Sequence, residues 1–183
     1  MDSAIVLIDI QNEYFKGGKR ELCAPDEAAK KAARALDGFR SKGLPVFHVR
    51  HVNADAGAGS FLPGSPGAQI HESVRPLAGE TVIEKQYPNA FLRTGLYDGL
   101  KSKGINHIAV CGMMSHMCVD TSVRVAQDYG LSVTVLEDAC TTRDLSWGGE
   151  TIPARTVHNA VMASLNGTFA RVVKTEEFLA DMG

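Results

Sequence analysis

Short apolar runs alternate with amphipathic stretches along this chain. Residues 3–8 (SAIVLI), 44–50 (LPVFHVR), 80–84 (ETVIE), 105–110 (INHIAV), 131–136 (LSVTVL) and 168–173 (TFARVV) are rich in β-branched residues and too short for helices, so each is predicted to be a strand. A helix is predicted over 26–42. Ala28, Ala32, Ala35, Leu36 and Phe39 form its apolar stripe, Lys30, Lys31, Arg34 and Arg40 lie off it, and Gly43 closes it. Further helices are expected over about 94–103, from Ser115 through Val125, over about 152–165, and at the C-terminus. Strands that are apolar throughout are buried on both faces. Alternating with helices, they imply right-handed βαβ units and an α/β protein with a mostly parallel sheet covered on both sides. The Gly-, Ser- and Pro-rich stretch 53–69 is too long for a simple connection, and a functional loop is expected there. Too little chain precedes it to form a separate α/β domain, so 1–183 is expected to be a single domain.

Composition narrows the function classes. A length of 183 residues suits one sizeable core, and 44% hydrophobic with 22% charged residues is ordinary for a globular protein. The net charge of -2 gives no electrostatic case for nucleic acid or an anionic membrane surface. Cys23, Cys111, Cys118 and Cys140 have no disulfide-framework spacing, which favours reduced thiols and a cytoplasmic location. The start of the sequence lacks the basic and long apolar regions of a signal peptide, and no segment is long enough to span a bilayer.

Ligands of open parallel sheets bind beyond the carboxyl ends of the strands. The first strand ends in Asp9 and the third in Lys85. The fourth runs through Gly112 into Ser115, a good helix cap, which puts Cys118 in the first helical turn. Taken singly, Asp9 reads as a turn residue, Lys85 as a solvated charge and Cys118 as core filler. Together at one sheet edge they describe a nucleophile elbow with cysteine in the place of serine. The helix start and Lys85 are expected to depress the Cys118 pKa. Asp9 is expected to accept the thiol proton and return it to a leaving amine, and the backbone N–H groups of Met114 and Cys118 to hold the oxyanion.

These residues resemble the isochorismatase-like cysteine hydrolases, a superfamily that includes nicotinamidases, N-carbamoylsarcosine amidohydrolases and streptothricin hydrolase. The resemblance rests on Asp9 within D-I-Q-N, on Lys85 followed by Asn89-Ala90-Phe91, and on the elbow C-G-M-M-S-H-M-C-V with Thr121 beyond, and it runs from Ile5 to about Val173. It implies an Asp9–Lys85–Cys118 triad, a six-stranded parallel sheet in a three-layer α/β/α sandwich, a cis peptide between Met113 and Met114, and a homodimer or higher homo-oligomer. The elbow wording is similar to the streptothricin hydrolase-type group. Nicotinamidases carry a metal site built on a D-x-H element after the second strand. Here that region reads F-H-V-R-H-V-N-A-D, so His48, His51 and Asp55 lack the required order and no metal or other cofactor is expected. True isochorismatases lack the cysteine, so Cys118 argues against that activity.

The expected activity is hydrolysis of a C–N amide-type bond in a small molecule through a thioester. Gln11, Tyr14 and Phe15 after the first strand, and Asn89 and Phe91 after Lys85, are candidate substrate contacts. His116 beside the elbow and Trp147 in a Gly-rich loop complete that set, although each also reads as ordinary packing. Cys23, Cys111 and Cys140 are expected to be core thiols. The alternatives are a nicotinamidase-type amidase and a catalytically idle small-molecule-binding protein on the same fold. A dinucleotide-binding domain is disfavoured because no G-x-G-x-x-G turn follows the first strand.

Overall fold

The computed structural model describes residues 2–182. In chain order the strands are β1 (Ser3–Ile8), β2 (Val46–His51), β3 (Thr81–Lys85), β4 (His107–Met113), β5 (Ser132–Thr141), β6 (Leu145–Trp147), β7 (Glu150–Ile152) and β8 (Arg171–Val173). The helices are α1 (Pro25–Ser41), α2 (Leu96–Ser102), α3 (Asp120–Asp128), α4 (Ala154–Leu165) and α5 (Thr175–Asp181). Six strands form one sheet in the order β3-β2-β1-β4-β5-β8, and every pairing in it is parallel. Helices flank this sheet. The central strands are the most apolar, and Ile5, Val6, Ile8, Ile108, Ala109 and Val110 are all buried, as double-sided covering requires.

Register delivers the strand ends to one place. Ile8 lies opposite Gly112 across β1 and β4, and His51 opposite Lys85 across β2 and β3. Asp9, His51, Lys85 and Met113 therefore share the carboxyl edge. Asp9 leaves β1 with a left-handed φ of 51°, which turns the chain while its N–H still donates to the Val49 carbonyl at 2.9 Å. Gly112 has a φ of 136°, and a Cβ there would stand 2.0 Å from the Ile8 carbonyl oxygen, so β1 can approach β4 this closely only at a glycine.

Several boundaries differ from those the sequence predicts. β5 continues past Leu136 to Thr141, because a register shift after Val110 lets Gly112 and Met113 pair with Cys140 and Thr141. β8 begins only at Arg171, since the amides of Phe169 and Ala170 turn back onto the Leu165 carbonyl. The polar loop after β5 contains an antiparallel hairpin of β6 and β7, turned through Gly148 and Gly149, both at positive φ. Ser115 does not cap a helix. Met114 precedes a wide π-type turn, Ser115–Val119, that leads into α3, and the Ser115 hydroxyl instead meets His158 Nδ1 at 2.8 Å. The Met113–Met114 peptide is cis.

Candidate active site

Asp9, Lys85 and Cys118 are gathered at the sheet edge and are almost wholly buried, with 0%, 1% and 6% of their surface exposed. The Lys85 ammonium lies 2.6 Å from Asp9 Oδ2, 3.3 Å from Cys118 Sγ and 3.3 Å from His51 Nδ1. Three acceptors thus surround three N–H donors. Burial by itself would favour neutral Lys85. The Asp9 charge and the Cys118 contact outweigh it and move the lysine pKa upward, so the ammonium persists. Neither Asp9 carboxylate oxygen has a well-aligned hydrogen-bond donor. The Asp9–Lys85 contact is an ion pair in which acceptor capacity is left over.

The thiol behaves differently from the expectation of a depressed pKa. Burial, followed by the nearby Asp9 charge, pushes Cys118 well above the usual thiol range, and Lys85 offsets this only in part. The helix start expected to supply the opposing field is the π-type turn, in which the Met114 carbonyl accepts the amides of Met117 and Val119. The resting group is therefore a protonated thiol beside a carboxylate with capacity to accept. Of the remaining cysteines, Cys111 and Cys140 lie in the core, and burial raises both, Cys140 to about 12. Cys23 is exposed, contrary to its expected core position.

Cys118 opens onto a cavity of about 190 Å³ whose walls include Tyr14, His51, Phe61, Met114 and Met117. The Tyr14 phenol is pushed well above its ordinary pKa by burial and by Asp9 and Cys118, so it keeps its proton and is a hydroxyl donor in the cavity that Cys118 also lines. Phe61 belongs to the 53–69 loop, which is fastened over the edge. The buried Glu13 carboxylate accepts the amides of Phe61 and Lys19, both at 3.1 Å.

The other expected contacts lie elsewhere. Gln11 is fully buried, but its amide nitrogen donates to the carbonyls of His51 and Ala68 and its oxygen accepts the His51 amide, so it ties backbone segments together. Phe15 stacks on His71 with ring centroids 3.7 Å apart. Asn89 uses Oδ1 to hold the Phe91 amide, and Phe91 packs near Tyr129. His116 Nδ1 meets Thr142 Oγ1 at 2.5 Å, and Trp147 stands 82% exposed on the β6–β7 hairpin. None of these residues lines the cavity at Cys118.

In the sequence His51 stands out only as a possible metal ligand, although the rule that singles out Asp9 and Lys85 applies equally to the last residue of β2. Burial, then the Lys85 charge, lower its pKa, which keeps the ring neutral. The Asn53 amide nitrogen donates to the Ser60 carbonyl, so Asn53 Oδ1 faces His51 Nε2 at 3.0 Å. That fixes the Nε2–H tautomer and leaves Nδ1 to accept from Lys85. The other residues weighed as metal ligands point to separate partners, His48 Nε2 to Glu80 at 2.8 Å and Asp55 Oδ1 to the Gly57 amide at 2.8 Å.

An acid, a lysine and a cysteine are thus buried together at the carboxyl edge of the parallel six-stranded sheet of an α/β protein. Residues 3–177 match the isochorismatase domain, and the chain belongs to that family. It is 49% identical over 179 residues to the isochorismatase family protein YddQ of Bacillus subtilis (strain 168), covering 98% of this chain and 99% of that protein. It is 32% identical over 161 residues to a streptothricin hydrolase of Streptomyces noursei, covering 82% of this chain and 55% of that enzyme. The fold matches the crystal structure of an isochorismatase from Pseudomonas putida KT2440 with a TM-score of 0.91, at 42% identity and with 96% and 89% of the two chains covered. Among the described residues no helix is long and apolar enough to cross a membrane.

Proposed function

We propose that this chain is a cysteine amidohydrolase that cleaves a C–N amide-type bond of a small molecule through a thioester, with Cys118 as nucleophile, Asp9 as proton acceptor and donor, and Lys85 as the charge between them. The observation that carries this reading is the Lys85 ammonium set between Asp9 Oδ2 at 2.6 Å and Cys118 Sγ at 3.3 Å inside a buried site. Because the resting thiol is protonated, attack and proton transfer are coupled. As Sγ bonds to the substrate carbonyl carbon, its proton passes to Asp9, and Lys85 offsets the charge building on sulfur. The N–H groups of Met114 and Cys118 receive the oxyanion. Collapse breaks the C–N bond, and Asp9 returns the proton to the departing nitrogen. Asp9, again a carboxylate, then takes a proton from water as its oxygen attacks the thioester. The acid leaves, and sulfur recovers its proton.

His51 and Asn53 hold Lys85 in place, and Tyr14 offers its hydroxyl to the bound substrate. A chain acting as a single catalytic domain, in a compartment that keeps thiols reduced, suits this chemistry. The test is a panel of small amides assayed for ammonia or amine release. Turnover by the wild type and its near-complete loss in folded Cys118→Ser is the expected result, because a hydroxyl is far harder to ionise in the same surroundings. Undiminished turnover by Cys118→Ser would remove cysteine from the mechanism.

A further inference from the structure

We propose that the substrate carries a carboxylate, bound by Arg20 at the mouth of the cavity that opens on Cys118. The inference rests on reading Cys118 as the nucleophile, and it adds the charge of the molecule attacked. Behind Cys118 the buried charges cancel: Asp9 and Lys85, which do not line the cavity, form an ion pair at 2.6 Å. Arg20 lines the same cavity and is not cancelled. Arg34, Arg40, Arg50, Arg75, Arg124 and Arg171 each meet a carboxylate, whereas among the described residues Arg20, Arg93, Arg143 and Arg155 meet none, and of these four only Arg20 lines the cavity.

Arg20 is also oriented. Its Nε–H donates to Ser60 Oγ at 2.8 Å, and Ser60 is 3% exposed, with its carbonyl holding the Asn53 amide nitrogen. Its backbone amide donates to the Glu13 carbonyl at 3.0 Å. A guanidinium anchored through Nε keeps the Nη donors that a carboxylate uses. Arg143 reinforces the field, since it and Arg20 both act on the Tyr14 phenol in the direction of ionisation. A cavity of about 190 Å³ suits a short-chain acid monoamide.

Alkylation of the whole protein tests this even while the substrate is unidentified. Rates of Cys118 modification by iodoacetate and by iodoacetamide are compared by mass mapping, with a capped, neutral cysteine peptide as reference. The iodoacetate-to-iodoacetamide ratio at Cys118 is expected to exceed that of the peptide by about tenfold or more, the scale of one charge-assisted contact. It should fall towards the peptide value in Arg20→Gln and be partly kept in Arg20→Lys. Equal ratios for wild-type Cys118 and the peptide overturn the inference, whether or not the variants fold. A second arm compares kcat/KM for succinamate and butyramide, where at least about tenfold preference for succinamate is expected, with the preference lost in Arg20→Gln. Equal use of the two amides in a Cys118-dependent reaction overturns the carboxylate subsite alone. Turnover that survives Cys118→Ser overturns the nucleophile reading instead, and the alkylation ratio then still decides the charge of the cavity mouth.

Discussion

His51 Nδ1 lies 3.3 Å from the Lys85 ammonium, so this histidine serves the site only while neutral. Protonation would set two cations against each other and remove the acceptor. Burial and Lys85 already hold the ring pKa below 6.5, so the loss falls on the acid side of that value. The sign for stability is the same: the contribution is complete above 6.5 and declines as pH falls below it. His51→Gln is expected to lower kcat/KM by about tenfold, the scale of one hydrogen bond, and to shift the acid limb of the profile. An acid limb identical in wild type and variant would show that the limb belongs to another group.

Asp9 and Lys85 act on Cys118 with opposite signs, which separates thiol ionisation from turnover. Asp9 raises the thiol pKa and Lys85 lowers it. Asp9→Asn is therefore expected to reduce turnover by about a hundredfold or more while making Cys118 more reactive towards iodoacetamide at about pH 8. Lys85→Ala should reduce turnover and alkylation together, and the two losses of turnover should not add fully. Slower alkylation in Asp9→Asn would contradict the role of Asp9 as the resting proton trap.

Gly112→Ala is expected to destabilise the protein by about 3 kcal/mol or more, or to prevent folding. Its Cβ would lie 2.0 Å from the backbone oxygen of Ile8, which no rotamer change relieves. Urea denaturation measures the effect. Gly17→Ala, at a φ of 86° with nothing near the added carbon, isolates the conformational part and should cost much less.

Glu80 gives the fold an acid-sensitive clamp between α1, β2 and β3. Burial opposes its ionisation, but hydrogen bonds from Arg40, the Leu77 amide and His48 prevail and bring its pKa down from 4.5 to about 2. Its contribution to stability is complete above 4.5 and is lost as pH falls from there towards 2. Glu80→Gln should flatten the pH dependence of the urea midpoint across that window. An unchanged slope would place the acid sensitivity on other carboxylates.

The sheet is legible in the sequence because its buried strands are apolar on both faces, and the meeting of Asp9, Lys85 and Cys118 follows from where those strands stop. The apolar pattern of β5 ends at Leu136, and Glu137 and Asp138 look like a loop, yet the register shift beside Gly112 carries the pairing through them to Thr141. Gln11 and Asn89 resemble substrate contacts because polarity near an active edge does not reveal which amide groups the backbone already uses. Arg20 reaches the cavity from the segment before α1, and Ser60 and Phe61 through the path of the long 53–69 loop, and neither period nor spacing encodes those paths. The Cys118 pKa departs from its expected direction because a sequence shows the cap residue but not the depth of burial that outweighs it.

The fastening of the 53–69 loop by Glu13 has an evolutionary side. Asp9, Lys85 and Cys118 sit at the strand edge, whereas Phe61 and the Ser60 anchor of Arg20 come from a segment gripped at a backbone amide. Gly67 keeps the grip open, because a Cβ there would stand 2.6 Å from the Glu13 carboxylate. Residues 54–59 can then vary in length and composition while the clasp and Cys118 stay in register. A lineage can alter the cavity wall by rewriting a surface loop, with no mutation reaching the buried Asp9–Lys85 ion pair.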